Sequence, residues 1–353
     1  MFRTTIVASL VLVAASSPQE RVDFAPVDGT RVVKSFAVNT HLELASASLV
    51  SGGEHEPIRM EMSVDSALEL GVTDTYVSTS NGRPRALERR FDSIRRDASA
   101  VSRASALGGG ERGARSGSPL EGRTVRFETG ADGADATRRF SDTDRPPTEE
   151  ERALLDGLEE DLDLLAWLPS GPIRPGDTFE IAPTAFAQLL SPSGELRLVP
   201  EDGTAAKELG AFGLGGGLAE LLGTPEGTVE GRFVAIEGAP GARLARLEYA
   251  VDLRCVQSLD VASWPGLADP DPPGDDDVSV RALRSDADAI LEGSVVLLFG
   301  LDSGRFDSLE STCEVDLKVT QTSELVRGER STEIGVELGF PGTHAVSAQV
   351  RAL

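Results

Sequence analysis

The sequence predicts an α+β protein: a mostly antiparallel sheet, curved or shaped as a half-barrel, with two or three helices packed on it. Three observations support this fold class. Apolar and polar residues alternate over long runs, which is typical of strands with one buried face. Turn sequences lie close together between these runs, so consecutive strands pair antiparallel. Two other segments carry apolar residues at helical spacing.

Alternation is clear first at residues 58–70, where apolar side chains occupy most even positions and mainly charged residues lie between them. The pattern recurs near the C-terminus, at 247–255, 295–301, 309–325, 334–340 and 346–350. Turn sequences separate these runs, among them Asp302-Ser303-Gly304, Arg327-Gly328-Glu329 and Gly342-Thr343. The region 227–353 therefore predicts a series of antiparallel strands.

Two helices are predicted between the strands. Residues 84–98 are rich in arginine and place apolar side chains on one helical face. Residues 148–167 are acidic and repeat leucine at helical spacing. This second helix begins with a capping box, in which Thr148 is followed three residues later by Glu151.

The N-terminus predicts a secretory signal peptide. Arg3 precedes a short apolar run, and Ala14 and Ser16 form a small-x-small cleavage pattern. The run is too short for a mature transmembrane helix, and no second apolar stretch of membrane length follows. We therefore expect a protein that is cleaved after Ser16, exported to the periplasm or the extracellular space, and not membrane-spanning.

Beyond the signal peptide the chain has enough residues for one large or two ordinary domains. Residues 99–119 are mainly Ser, Ala, Gly and Arg, and this composition predicts a disordered linker. The expected organisation is a signal peptide (1–16), an N-terminal β-rich half (17–98), the linker (99–119) and the remainder of the β-rich domain (120–353).

The charge of the chain excludes one class of partner. Asp and Glu number 58 against 34 Lys and Arg, which gives a formal net charge of −24. Such a surface repels nucleic acid. The local arginines of 83–96 lack interleaved aromatic side chains apart from Phe91, so no nucleic-acid site is expected there.

The only cysteines, Cys255 and Cys313, lie on odd-numbered apolar positions of their strands. An even number of cysteines in an exported protein favours a disulfide. Two side chains on the same face of one sheet could meet on neighbouring strands, so we predict a Cys255–Cys313 bond. Two buried free thiols are the alternative.

One segment resembles a known family. Leu158–Leu164, Leu168-Pro169 and Gly176-Asp177-Thr178-Phe179 are similar to an uncharacterised family of exported bacterial β-rich proteins with a Leu-Pro…Gly-Asp-Thr-Trp/Phe signature. The function of that family is unknown, so the resemblance implies no activity. The layout is also similar to periplasmic half-barrels that carry lipids, which is a likeness of fold alone.

No catalytic constellation is present, and we predict that the protein is not an enzyme. The three histidines lack metal-ligand spacing, and no Gly-x-Ser-x-Gly elbow occurs. Leu301-Asp302-Ser303-Gly304 matches the core of aspartic proteases, and an aspartic-type hydrolase using Asp302 is one alternative. A single copy that joins two alternating strands is better explained as a hairpin turn.

No cofactor is expected. The acidic loop at 269–277 suggests calcium bound by Asp269, Asp271 and Asp275 as an alternative. Pro273 and Val280 stand where an EF-hand needs oxygen ligands, so an acidic surface loop is the preferred interpretation.

Two functional hypotheses remain. In the first, an apolar small molecule or lipid binds in a groove of the sheet, with the segment 209–222 as a lid. The residues expected to line that groove are Met60, Met62, Leu253, Phe299, Phe212 and Leu214. In the second, the protein is an envelope or extracellular scaffold, and its acidic surface docks a cationic partner protein.

Overall fold

The computed structural model describes residues 19–80, 83–102, 110–129, 137–142, 145–201, 218–259, 278–327 and 330–353. The predicted signal peptide lies outside these ranges. The described strands join into a single sheet in which every pairing is antiparallel. Only short helices accompany this sheet. The predicted α+β class with two or three packed helices is therefore wrong, and the protein is mostly antiparallel β.

The strands are numbered in chain order. They are β1 (Arg31–Glu43), β2 (Ser46–Ser51), β3 (Glu54–Pro57), β4 (Met62–Ser80), β5 (Arg83–Ser102), β6 (Gly110–Gly117), β7 (Thr124–Glu128), β8 (Thr137–Phe140), β9 (Thr178–Ile181), β10 (Val199–Pro200), β11 (Pro225–Glu237), β12 (Leu244–Leu259), β13 (Val278–Gly300), β14 (Arg305–Arg327) and β15 (Arg330–Ala352). The main path across the sheet is β10-β6-β5-β4-β1-β15-β14-β13-β12-β11-β9, with β2, β3, β7 and β8 paired beside it.

The helical segments are α1 (Glu149–Leu155), α2 (Ala187–Leu190) and α3 (Leu218–Leu221), with 3₁₀ turns at Leu165–Trp167 and Pro183–Phe186. The capping box at α1 is confirmed, because the Glu151 amide donates to Thr148 Oγ1 and the Thr148 amide donates to Glu151 Oε2. The predicted helix 148–167 nevertheless ends at Leu155. Asp156 is extended and Gly157 has a φ of 77°, so the chain leaves the helix there.

The predicted helix 84–98 is wrong, since these residues belong to β5. The pairing with β4 shifts where Gly71 faces Ser93 and Val72 faces Phe91, which leaves Asp92 as an extra residue. Leu87, Arg89 and Phe91 are buried just before this bulge, whereas Ile94 and Arg96 are buried after it, so the buried positions change from odd to even. The change of parity gives Leu87, Phe91 and Ile94 a spacing of four and three, which is the spacing of a helical face.

Two further expectations are corrected by strand pairing. The linker predicted at 99–119 is wrong at both ends, because 99–102 complete β5 and 110–117 form β6 opposite it. The turn predicted at Gly342-Thr343 lies inside β15. A Cβ added to Gly342 would come 2.9 Å from Leu42 Cα, so the glycine permits close approach of β1. Composition and glycine content therefore predicted irregular structure at positions where the backbone is paired with a neighbouring strand.

The sheet has two unlike faces. Its inner face carries the buried alternate side chains, such as Phe36, Leu247, Leu297 and Leu317. Residues 156–201, which we call the strap, cross this face with little regular structure. Trp167 of the strap is fully buried, and its ring packs edge-on against Tyr249 with ring centroids 5.1 Å apart. The outer face carries the remaining, largely exposed side chains of the same strands.

The predicted Cys255–Cys313 disulfide is wrong, since both thiols are free and buried. Both cysteines lie on the inner face, as expected. Cys255 faces Ala289 of β13, however, whereas Cys313 faces Gly293 from the other side of that strand. Two strand spacings and four residues separate them, which is about 16 Å at ordinary sheet dimensions. A disulfide needs Cα atoms closer than about 7 Å.

We predict two free thiols per chain when the protein is unfolded without reductant and titrated with a thiol reagent. In the folded protein the same reagent should react slowly, because burial raises the pKa of each thiol to about 11. Absence of titratable thiols in the unfolded, unreduced chain would contradict the described register.

Candidate functional site

The residues predicted to line an apolar groove do not converge. Met62, Leu253 and Phe299 are buried in the core of the inner face, and Met60 is half-buried. Met62 lies on β4 and Leu253 on β12, five strand spacings apart, or about 24 Å. Phe212 and Leu214 lie outside the described residues. The strap packs on the inner face between these positions.

A cluster of four buried charged side chains ties the strap to the sheet. Lys34, Asp74 and Arg89 occupy inner positions of the adjacent strands β1, β4 and β5, and each is 0% exposed. Asp74 faces Arg89 directly across the two strands. The guanidinium donates from Nε to Asp74 Oδ1 (2.8 Å) and from Nη2 to Oδ2 (3.0 Å). Lys34 Nζ lies 2.8 Å from Asp74 Oδ2.

The strap completes this cluster. Asp163, which is 2% exposed, accepts hydrogen bonds at Oδ1 from Lys34 Nζ (2.7 Å) and from Tyr76 Oη (2.6 Å). Arg89 also donates to two strap carbonyls, those of Glu159 (2.9 Å) and Glu160 (2.8 Å). The sheet therefore holds the strap in two ways. Arg89 binds two backbone carbonyl groups of the strap, and Lys34 and Tyr76 bind the carboxylate of Asp163.

The pKa values of the two carboxyl groups differ because their partners differ. Burial alone would raise the pKa of Asp74, but the charges and hydrogen bonds of Arg89 and Lys34 lower it to about 2. Burial raises the pKa of Asp163, and Lys34 offsets that rise only in part. Burial and the nearby Asp163 and Asp74 raise the pKa of Tyr76 well above 10. Asp74 is thus the fixed anion of the cluster.

The role of this cluster is structural, since it attaches the strap to the sheet. All of its charged groups are covered by the strap, so a substrate has no access to them. The sequence analysis did not single out Lys34, Asp74 or Asp163, and it placed Arg89 in a helix. A signal was available in β1, where Lys34 interrupts the buried series Val32, Phe36 and Val38.

Asp302 also has a structural role. It lies in the turn between β13 and β14 and accepts hydrogen bonds from the Arg243 amide (2.8 Å) and from Arg243 Nη2 (2.9 Å). The hydrogen bonds of Arg243 lower the pKa of this carboxyl group. An ionised, exposed carboxylate bound by arginine cannot share a proton with a second acid, so the aspartic-type hydrolase hypothesis finds no support here.

The described ranges contain no group of three or more His, Cys, Asp or Glu side chains that could hold a metal ion. The loop with Asp269, Asp271 and Asp275 lies outside those ranges, and calcium binding there stays a prediction. In the same described part of the chain, no helix is long and apolar enough to cross a membrane.

The outer face carries a band of small side chains bordered by acidic residues, which runs across the strands and which we call the acidic trough. Its floor is a row of small side chains in directly paired positions on β12, β13, β14, β15, β1 and β4. The row consists of Ala250, Ser294, Thr312, Ala345, Asn39 and Ala67. Six strands give this floor a length of about 24 Å.

Two rows of paired residues flank this floor as the walls of the trough, with four carboxylates in the first row and three in the second. One wall is the paired row Asp252, Glu292, Glu314, Thr343, His41 and Asp65. The other wall is the paired row Glu248, Val296, Glu310, Ser347, Ala37 and Glu69. Neither row contains lysine or arginine, and basic side chains lie beyond both ends of the second row, at Arg232 on β11 and at Arg95 on β5.

Two cavities mark the ends of the trough. A cavity of about 570 Å³ lies over β6, β5, β4, β1 and β15, and its lining includes Asn39, His41 and Asp65. A cavity of about 680 Å³ lies over β11, β12 and β13, and its lining includes Ala250 and Ser294. The trough is therefore a real depression of the surface at both ends.

Three wall carboxylates lack a cationic partner. Asp252, Glu292 and Glu314 are exposed, and none has an ion pair with another described residue. They occupy directly opposite positions on three neighbouring strands. Like charges in such positions destabilise an antiparallel pair, so a bound cation would relieve repulsion that the free protein carries.

One arrangement in the wall has the order of a catalytic triad but not its geometry. Thr343, His41 and Asp65 are neighbours on β15, β1 and β4. His41 Nδ1 lies 2.7 Å from Asp65 Oδ1. Among the described residues no hydrogen bond joins the Thr343 hydroxyl to the ring, and the backbone amides here lie in the sheet ladder. Among the described residues this row therefore has neither a contact between hydroxyl and ring nor free amides for an oxyanion hole.

Comparison with known proteins identifies no family. No protein-family model matches the chain, and no curated protein matches it. The outer membrane protein OprG from Pseudomonas aeruginosa aligns at 7% identity with a TM-score of 0.21, covering 94% of this chain and 100% of that chain. An outer membrane channel from Pseudomonas putida F1 aligns at 9% identity with a TM-score of 0.20, covering 97% and 100%. TM-scores this low do not establish a common fold, so neither protein informs the fold or function of this chain.

We predict that Asp74→Asn lowers the free energy of unfolding by about 3–5 kcal/mol, because Arg89 and Lys34 lose the anion that compensates their buried charge. Asp163→Asn should cost less, since an amide oxygen still accepts from Lys34 and Tyr76. Urea unfolding followed by circular dichroism measures both. Asp316→Asn on the exposed outer face is the control and should change stability by less than about 0.5 kcal/mol. Equal losses for all three variants would contradict the assignment.

Proposed function

We propose that this chain is an exported, non-catalytic binding protein that docks a cationic segment of a partner protein in the acidic trough. The observation that carries the proposal is the pair of carboxylate walls, which run along a floor of small side chains without an intervening lysine or arginine. The proposal sharpens the scaffold hypothesis from the sequence, which assigned docking to the acidic surface in general.

The shape of the trough favours an extended segment. Its floor is about 24 Å long, and an extended chain advances about 3.3 Å per residue, so about seven residues would fill it. Small floor residues let a backbone lie close to the sheet, while lysine or arginine side chains reach the carboxylates on either side. The basic residues beyond the ends limit the length of a cationic occupant.

The electrostatics favour fast and salt-sensitive binding. A groove lined by one sign of charge steers an oppositely charged partner and raises its association rate. Because the wall carboxylates are exposed, each contact contributes modestly and is screened by salt. The apolar-ligand hypothesis has less support, since the strap covers the inner face and the described cavities of the trough lie on the opposite face.

We predict that a ten-residue peptide in which Lys-Lys pairs alternate with Ser-Ser pairs, so that lysines lie on both sides of the extended chain, binds the protein, whereas the same peptide with glutamate in place of lysine does not. The double variant Glu292→Gln/Glu314→Gln should weaken binding about tenfold, because it removes two wall charges. Raising the salt from 50 to 300 mM should weaken binding to the unmodified protein, because salt screens the wall charges. Isothermal titration calorimetry measures the affinities.

The matched control is Glu150→Gln/Glu333→Gln. It removes the same net charge from exposed positions on α1 and at the far end of β15. An equal loss of affinity in this control would show that binding follows overall acidity rather than the trough. Failure of the lysine peptide to bind at low salt would remove the proposal itself.

A further inference from the structure

We propose that the strap is a proton-operated latch: residues 156–201 dock on the inner face with uptake of protons and loosen as the pH rises. This inference concerns the face opposite the trough and goes beyond the proposed function.

The contact between strap and sheet combines a firm attachment with unsatisfied polar groups. Arg89, Lys34 and Tyr76 hold the strap at residues 159–163, and Tyr249 Oη donates to the Trp167 carbonyl (2.5 Å). Three strap side chains nevertheless bury polar atoms that have no partner among the described residues. These atoms are Glu160 Oε1, Trp167 Nε1 and Gln188 Oε1. Buried polar atoms without partners disfavour the docked state.

Glu160 is the first proton acceptor of the latch. Its Oε2 accepts from Thr129 Oγ1 (3.1 Å), while Oε1 is buried without a donor. Arg89 of β5 faces this carboxyl group, and so do Asp161 and Asp163 of the strap itself. Burial raises the pKa of Glu160; Thr129 and Arg89 oppose the rise, and the two aspartates add to it.

Asp163 is the second acceptor. Lys34 of β1, Asp74 and Tyr76 of β4 and Asp161 of the strap face it. Burial raises the pKa of this group as well. Glu160 and Asp163 are three residues apart on the same segment, so both gain protons more readily when that segment is docked than when it is free.

The sign of the pH dependence follows from these directions. A carboxyl group whose pKa is raised by docking stabilises the docked state at low pH, and that contribution is lost as the pH rises through the raised value. Asp74 acts oppositely: its contribution is present above about 3.9 and is lost as the pH falls towards 2. The latch should therefore be tightest at mildly acidic pH and looser at neutral and alkaline pH.

Trp167 provides the readout, because this strap residue is fully buried and packs edge-on against Tyr249 of the sheet. The sequence has two tryptophans, and Trp264→Phe leaves Trp167 as the single reporter. We expect acrylamide quenching of Trp167 to rise at least twofold between pH 5 and pH 9. Far-UV circular dichroism should stay constant over this range, which shows that the sheet remains folded.

In the same background, Glu160→Gln should reduce the rise of quenching with pH and lower quenching at pH 9 relative to the parent, with Asp163 as the remaining acceptor. Glu195→Gln, an exposed strap position, is the control and should keep the parent profile. Quenching that does not change with pH in the single-tryptophan protein would overturn the latch, and so would a Glu160→Gln profile identical to that of the control. The lysine-peptide titration reports on the other face, so either proposal can fail without the other.

Discussion

The buried contact between Asp74 and Arg89 is the interaction on which the rest of the structure depends. Three long strands bring three charged side chains to the apolar face of the sheet, where each would be unstable alone. Asp74 neutralises Arg89 and Lys34 in part, and Asp163 of the strap accepts a hydrogen bond from Lys34 Nζ. The inner face is thus complete only when the strap lies on it, which explains how an irregular segment acquires one defined position.

This arrangement divides the two faces of the sheet. The inner face buries its apolar side chains under the chain's own strap, with Trp167 packed between Phe186 and Tyr249. The outer face stays exposed, and strand pairing aligns its residues into rows. A row of small side chains between two rows of carboxylates produces a trough that no single strand encodes. The buried core and the proposed docking surface therefore lie on opposite sides of the same strands.

Much of the β structure could be predicted because alternation reports directly on burial. The runs at 247–255 and 309–325 lie in β12 and β14, and their odd-numbered apolar residues are buried from 247 to 255 and from 309 to 319. The prediction of a helix at 84–98 was wrong because one bulge in β5 changes the period from two to an apparent helical spacing. At 148–167, leucines that suggested a long helix instead face the sheet from a chain that turns at Gly157. Periodicity cannot separate these cases, since both produce apolar residues three and four apart.

The sequence by itself determined that this is a β-rich chain, which side chains of β4, β12, β13, β14 and β15 point inwards over the alternating runs, and that its charge is strongly negative. Only the tertiary structure decided which residues meet. Alternation places Cys255 and Cys313 on one face, yet the register keeps them two strands apart. Composition does not reveal this register. The register places Asp74 opposite Arg89, and it aligns Asp252, Glu292 and Glu314 on three neighbouring strands. The physical reason is that side-chain alternation fixes a face locally, whereas register is a property of two strands far apart in the chain.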